Sequence, residues 1–259
     1  MPATAAESHL GRGVDRYPLV QPVADELPVA LPLDYDANPD RFRTGRAVAR
    51  AYSTVGDVHE RVAARLRAER YTPVLDLGCG SGELARLLDG SGLACIGLDL
   101  SAVLLADAPR PAIRGDAAQL PFAKDSFSAV AALYMLYHLA EPEVVLREAR
   151  RVLRPGGLFV AAAPSRHDAP ELRELDLEPP AAASTFDAEI APQLIGRVFA
   201  AVEVQTWDGP FIHLPDAEAV RRYLVGRGLD ARLAAERTRG MRMPLNVTKR
   251  GALVYAKDA

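Results

Sequence analysis

Short apolar runs alternate with longer amphipathic stretches through the middle of the chain. The runs at 73–77, 94–99, 112–116, Phe127–Leu133 and 158–163 are too short for buried helices and are bounded by Gly, Pro and Asp, so each predicts a buried strand. Between them, Glu83–Leu88 and 141–153 carry helical spacing. Pro142 suits a first helical turn, and Pro155-Gly156-Gly157 predicts a turn that ends the second helix. Such alternation predicts a doubly wound, mostly parallel α/β sheet covered by helices on both faces, with ligands at the carboxyl ends of the strands.

The flanks read differently. Residues 1–33 carry Pro2, Pro18, Pro22, Pro28 and Pro32 without helical period and predict an extended arm. From 34 to 70 the pattern turns helical, with apolar positions at Val48, Ala51, Val55, Val58, Val62 and Leu66 and a break expected at Gly56. Beyond Pro164 the expectation is a proline-rich loop at 165–184, a helix at 186–199 and a strand at 202–207. Helices at 217–224 and 231–239 and a last strand at 252–257 complete it. That makes seven strands. The stretch 208–250 is a long link between the last two, and links beyond ~12–15 residues usually carry function or structure of their own.

Composition narrows the classes. The 259 residues are 49% hydrophobic and 25% charged, with a net charge of −3, so nothing favours a polyanionic partner. The two cysteines, Cys79 and Cys95, make neither a disulfide framework nor a metal ligand set, and a reduced, cytoplasmic setting is expected. No signal peptide and no membrane-spanning run is read. Lysine occurs only at 124, 249 and 257, which with abundant alanine points to a GC-rich bacterial source.

The chemistry centres on Val74-Leu75-Asp76-Leu77-Gly78-Cys79-Gly80-Ser81-Gly82. A strand enters three alternate glycines and then a helix, whose free N–H groups and glycine-lined approach suit a bound ligand. A dinucleotide fold requires G-x-G-x-x-G, and Glu83 stands where its third glycine belongs. The Asp-x-Gly-x-Gly-x-Gly pattern instead resembles the first motif of class I S-adenosylmethionine-dependent methyltransferases, in the group of the ubiquinone and menaquinone biosynthesis C-methyltransferases. The resemblance continues in order through Gly97-Leu98-Asp99-Leu100-Ser101, Gly115-Asp116-Ala117 with Leu120-Pro121-Phe122, the Tyr134–His138 segment, and Leu146 to Gly157. Ser128 replaces an acid common in the family, at a strand start away from the ligand edge.

The resemblance implies S-adenosyl-L-methionine as cofactor and S-adenosyl-L-homocysteine as product. It implies a Rossmann-like sheet with an antiparallel last strand and a helical N-terminal lid over a core at 72–164, while the helical patterns within 208–250, where the resemblance fades, predict an added substrate cap. The implied cofactor residues are Tyr52, Asp76, Gly78, Cys79, Gly80, Gly82, Asp99, Leu100, Ser101, Asp116, Ala117, Leu133 and His138, with Asp99 on the ribose and Asp116 on the adenine amine. Tyr35 is the alternative to Tyr52 over the methionine end. Candidate bases are His138 and His167, and no metal site is read. Arg166 is expected to bind a substrate carboxylate or pair with Asp168, while Trp207, Asp208 and His213 are pocket candidates. The expected partner is a small-molecule acceptor, with the protein a monomer or homodimer. Two other readings stand beside it. An RNA methyltransferase could use the basic group Arg221, Arg222, Arg227, Arg232, Arg237, Arg239, Arg242, Lys249 and Arg250. A methyltransferase-like fold could also be repurposed for ligand binding or rearrangement.

Overall fold

The computed structural model describes residues 36, 38–177 and 184–258. The predicted arm at 1–33 and Tyr35 lie outside the described residues. Seven strands form one sheet: β1 (Val74–Leu77), β2 (Cys95–Asp99), β3 (Ala112–Arg114), β4 (Phe127–Leu133), β5 (Leu153–Pro164), β6 (Ala201–Leu214) and β7 (Leu245–Lys257). Their spatial order is β3-β2-β1-β4-β5-β7-β6. Pairing is parallel from β3 through β5, and β7 runs antiparallel to both β5 and β6. The chain moves outward from β1 to β3 and returns to β4 on the other side of β1. That reversal opens a crevice beyond the carboxyl ends of β1 and β4, where open α/β sheets bind ligands.

Side-chain alternation assigns the two faces. Leu75, Leu77, Val130, Ala132, Phe159 and Ala161 pack on one face with Val145, Leu146 and Ala149 of α5 (Pro142–Val152) and Ala191 and Ile195 of α7 (Ala191–Gly196). Val74, Ala129, Ala131, Leu158 and Val160 face the opposite layer, against Val62 and Leu66 of α2 (Val58–Ala68) and Leu84 and Leu88 of α3 (Glu83–Leu88). Two shorter helices, α4 (Ala102–Leu105) and α6 (Pro170–Glu174), follow β2 and β5.

The 34–70 region does not act as one unit. Its first helix, α1 (Pro39–Tyr52), joins a third apolar cluster through Val48, together with Val220 and Leu224 of α8 (Ala217–Gly226), Ala234 of α9 (Ala231–Arg237), and Ile212, Leu214 and Val247 of β6 and β7. Gly45 and Gly226 make the approach possible: a Cβ on Gly226 would stand 2.6 Å from Gly45 Cα. The second helix, α2, belongs to the sheet core. Gly56 lies between the two, as the sequence predicts.

Several boundaries differ from expectation. The strand expected at 158–163 begins at Leu153, so Pro155-Gly156-Gly157 lies within β5 rather than in a terminating turn. Gly156 takes φ +74, and the flanking backbone keeps pairing, with Leu153 opposite Phe127. The helix expected at 186–199 shrinks to Ala191–Gly196, with Pro192 in its first turn. The largest change is at 208–250: β6 and β7 continue pairing from Asp208–Arg250 out to Leu214–Leu245, so only 215–244 departs from the sheet. Both α8 and α9 start on aspartate N-caps. Asp216 Oδ1 accepts the Ala219 N–H at 2.8 Å, and Asp230 Oδ1 accepts those of Arg232 and Leu233. Asp216→Ala is expected to cost about 1 kcal/mol of stability in urea denaturation, the usual worth of such a cap.

Candidate active site

The glycine loop leaves β1 with Gly78, Gly80 and Gly82 all at positive φ, at +61, +52 and +80. Each position is also crowded from outside. A Cβ on Gly78 would meet Met135 Cβ at 2.6 Å, one on Gly80 the Phe42 ring at 2.9 Å, and one on Gly82 Pro109 Cδ at 2.6 Å. Conformation and clearance therefore both demand glycine. Met135 follows β4, so its contact with Gly78 closes the base of the crevice. Phe42 comes from α1 and lies over the loop from above.

Asp99, at the end of β2, pins this loop. Its Oδ2 accepts the Gly80 N–H at 2.7 Å and its Oδ1 accepts the Ser101 N–H at 2.8 Å. Burial pushes the Asp99 carboxyl up, while those amide hydrogen bonds pull it down. Ser101 caps α4, its Oγ accepting the Leu104 N–H at 3.1 Å, and its hydroxyl also bonds Asp36. Leu100 lies between, its carbonyl held by Arg114 Nε. After β3, Asp116 Oδ1 accepts the Ala118 N–H at 2.8 Å, and Ala117 is buried. The segment beyond it is held from α5. Glu148 accepts the Leu120 N–H, and Arg151 donates to the Leu120 and Phe122 carbonyls. The Leu146-to-Gly157 and Leu120-Pro121-Phe122 motifs are thereby hydrogen-bonded to each other.

Asp76 has no hydrogen-bond partner among the described residues and is 3% exposed. Burial, with a contribution from the Asp99 charge, pushes its carboxyl up to about 8. A buried, unpartnered carboxyl beside the glycine loop fits a cationic ligand group, and S-adenosylmethionine carries two. An unfolded aspartate titrates near ~4, so between about pH 4 and pH 8 the folded chain holds a proton that the unfolded chain has lost. Stability is therefore expected to fall as pH rises through that window. Asp76→Asn should flatten the slope in thermal melts across the same range.

Cys79 is a buried loop residue against Gly97. Burial first, then Asp76 and Asp99, raises its thiol far from reactivity. Leu133 closes β4 in the α2-side core. Tyr52 packs in the α1–cap cluster, so the aromatic ring over the glycine loop is Phe42 instead. His138 ends a 3-10 turn at Leu136–His138 with its side chain exposed, and partial desolvation, then Arg41, lowers its pKa. His167 is exposed in the loop after β5, its backbone amide held by Ser165 Oγ. The expected Arg166–Asp168 pair does not form. Arg166 pairs with Asp187 at 2.8 Å, whereas Asp168 binds Arg227, Lys249 and the Arg250 N–H. Trp207 is partly buried and covers Gly251, Asp208 pairs with Arg250, and His213 bonds Asn246. Ser128 bonds the Pro73 carbonyl at the base of β4, the edge opposite the ligand.

Sequence reading missed Phe42, Arg46, Asp57 and His59. Arg46 of α1 spans from Asp57 to Glu83, at 3.3 Å to each. Asp57 caps α2 and holds the His59 ring, Oδ1 to Nδ1, at 2.7 Å. The one available signal was Asp57-x-x-Glu60, an N-terminus signature for α2.

Fold and site together define a Rossmann-like domain of the methyltransferase type. Residues 75–161 match the family described as a methyltransferase domain. The chain is 31% identical over 210 residues to a malonyl-(acyl-carrier protein) O-methyltransferase from Enterobacter lignolyticus, covering 76% of this chain and 81% of that protein. It is 42% identical over 90 residues to a demethylmenaquinone methyltransferase from Mycolicibacterium paratuberculosis, covering 34% of this chain and 39% of that one. The crystal structure of the YcgJ protein from Bacillus subtilis superimposes with a TM-score of 0.58 at 19% identity, covering 78% of this chain and all of that one. The chain belongs to the class I S-adenosylmethionine-dependent methyltransferases.

Proposed function

We propose that this protein moves a methyl group from S-adenosyl-L-methionine to oxygen, nitrogen or carbon of a small organic acceptor, in the cytoplasm and in bacterial specialised metabolism. The observation that carries the reading is the crevice beyond β1 and β4. There the glycine loop, Asp99 and Asp116 lie at the carboxyl ends of β1, β2 and β3, and Phe42 stands against the glycine loop. Asp99 and Ser101 would hold the ribose side, Asp116 and Ala117 the adenine, and the glycine loop with Asp76 the cationic end. When bound, the cofactor supplies a methyl group on a good leaving group, so the protein's task is alignment and exclusion of water. Burial raises the Tyr134 phenol, which therefore stays protonated and can donate to an acceptor oxygen. α1 serves as the lid, and 215–244 as the substrate cap.

The basic group considered for RNA supports the small-molecule reading instead. Arg221 meets Glu218, Arg237 meets Asp176, Arg227 and Lys249 share Asp168, and Arg250 meets Asp208. Five of the nine basic residues are thus paired with acids, which weakens the case for the open basic face that phosphate contacts need. Calorimetry with S-adenosylhomocysteine tests the proposal. Saturable one-to-one binding is expected, and no heat of binding at millimolar ligand would overturn it.

A further inference from the structure

His59 and Tyr134 form a second polar cluster at the rim of the crevice. Tyr134 is the first residue after β4 and takes φ +58, a conformation uncommon for a bulky side chain. Its amide is tied to the Ala162 carbonyl at 3.0 Å, and the next residue, Met135, abuts the glycine loop. The His59 ring lies 6.4 Å from the Tyr134 ring, tilted by 42°. Its side chain is 13% exposed, enclosed yet open on one side. Arg46 bridges this corner to Glu83, which follows directly on the glycine loop. The N-terminus of α2 therefore stands at the ligand edge of the sheet.

The arrangement has the parts of a proton acceptor. Asp57 fixes Nδ1 of His59 and leaves Nε2 as the ring's remaining nitrogen. Burial pushes the Asp57 carboxyl up, but the His59 hydrogen bond and the Arg46 charge outweigh it and hold Asp57 well below the usual carboxylate range. The dyad is thus a permanent anion behind an imidazole, the geometry that orients a histidine base and supports its cation. His138, by contrast, has Arg41 as its charged influence, which opposes taking a proton. The charged and titratable groups around His59 are Asp57 and Glu60 on its own helix, Arg46 from α1 and Tyr134 after β4. Asp168 acts on Tyr134 from beyond β5.

Resting on the methyltransferase reading, we infer that His59, positioned by Asp57, is the general base of this enzyme. Its acceptor is then an O–H nucleophile that is still protonated near neutral pH, a phenol, held by Tyr134. In the step, the acceptor oxygen forms its bond to the methyl carbon and the S–CH3 electron pair stays on sulfur. The acceptor proton goes to Nε2 of His59, whose imidazolium Asp57 stabilises.

Two measurements test this. Long-range proton–nitrogen correlation NMR on the full chain should show the neutral His59 ring as the Nδ1–H tautomer. Asp57→Asn keeps the helix cap but removes the charge, and should shift the ring toward the Nε2–H form. Methyl transfer from radiolabelled S-adenosylmethionine to a panel of phenols should fall about 100-fold in His59→Gln, the usual scale for losing a general base. The acid limb of its pH profile should vanish as well. S-adenosylhomocysteine affinity and melting temperature should stay at wild-type values, which separates this failure from failure of the cofactor site. An Nε2–H tautomer in the wild type would overturn the inference. So would His59→Gln with full turnover, or a panel in which amines alone are methylated.

Discussion

Asp99→Ala is expected to weaken S-adenosylhomocysteine binding by about 100-fold or more in titration calorimetry, because it removes two charge-assisted hydrogen bonds at once. The Asp99 carboxylate accepts from the Gly80 and Ser101 amides, so it organises the glycine loop and the start of α4 before any ligand arrives. Its loss therefore acts twice: a ribose contact disappears, and the loop that should receive the methionine end is released. Asp99→Asn retains one acceptor oxygen and should lose distinctly less. If Asp99→Ala bound as tightly as the wild type, the ribose assignment would be wrong.

The second large effect belongs to Gly78. Alanine there meets two obstacles, a backbone at φ +61 and the Met135 Cβ at 2.6 Å from the new carbon. Met135 cannot yield by turning a flexible tip, since the contact is with the stem of its side chain. Gly90 supplies the comparison: it has φ +69, and no atom lies within 4 Å of where an alanine Cβ would stand. Gly90→Ala should then report strain alone, about 1 kcal/mol in denaturant titrations. Gly78→Ala should cost about 3 kcal/mol, because overpacking adds to the strain. It should also abolish detectable cofactor binding. Equal losses at the two positions would show that the Met135 contact carries no weight.

The sheet was legible because its strands are buried on both faces and read as short apolar runs between turn residues. β1 and β4 are the plain cases, with nearly every position buried. β6 and β7 were read too short for a physical reason. Along β6 most positions are exposed or half-exposed, so the alternation that marks a strand fades well before the pairing ends. The start of β5 was hidden by Pro155-Gly156-Gly157, where turn chemistry and strand pairing coincide. Within the site, the glycine loop, Asp99 and Asp116 were readable because each sits just past a strand in its own local motif. Phe42, Arg46 and His59 were not, because their place depends on how α1 and α2 dock against the loop, which no local pattern encodes. Tyr52 shares a helix with Phe42 but packs against the third apolar cluster, while Phe42 stands against the glycine loop.

The paired extension of β6 and β7 has a consequence for how this enzyme can change. Between Leu214 and Leu245 the polypeptide leaves and re-enters the sheet through two adjacent, hydrogen-bonded strands. Whatever lies between them is a cassette with a fixed socket. Its contents can be exchanged for another length or composition while Gly78, Asp99 and Asp116 keep their places. The condition is that the incoming segment preserves the seam on α1, where Gly45 and Gly226 meet too closely for any larger side chain.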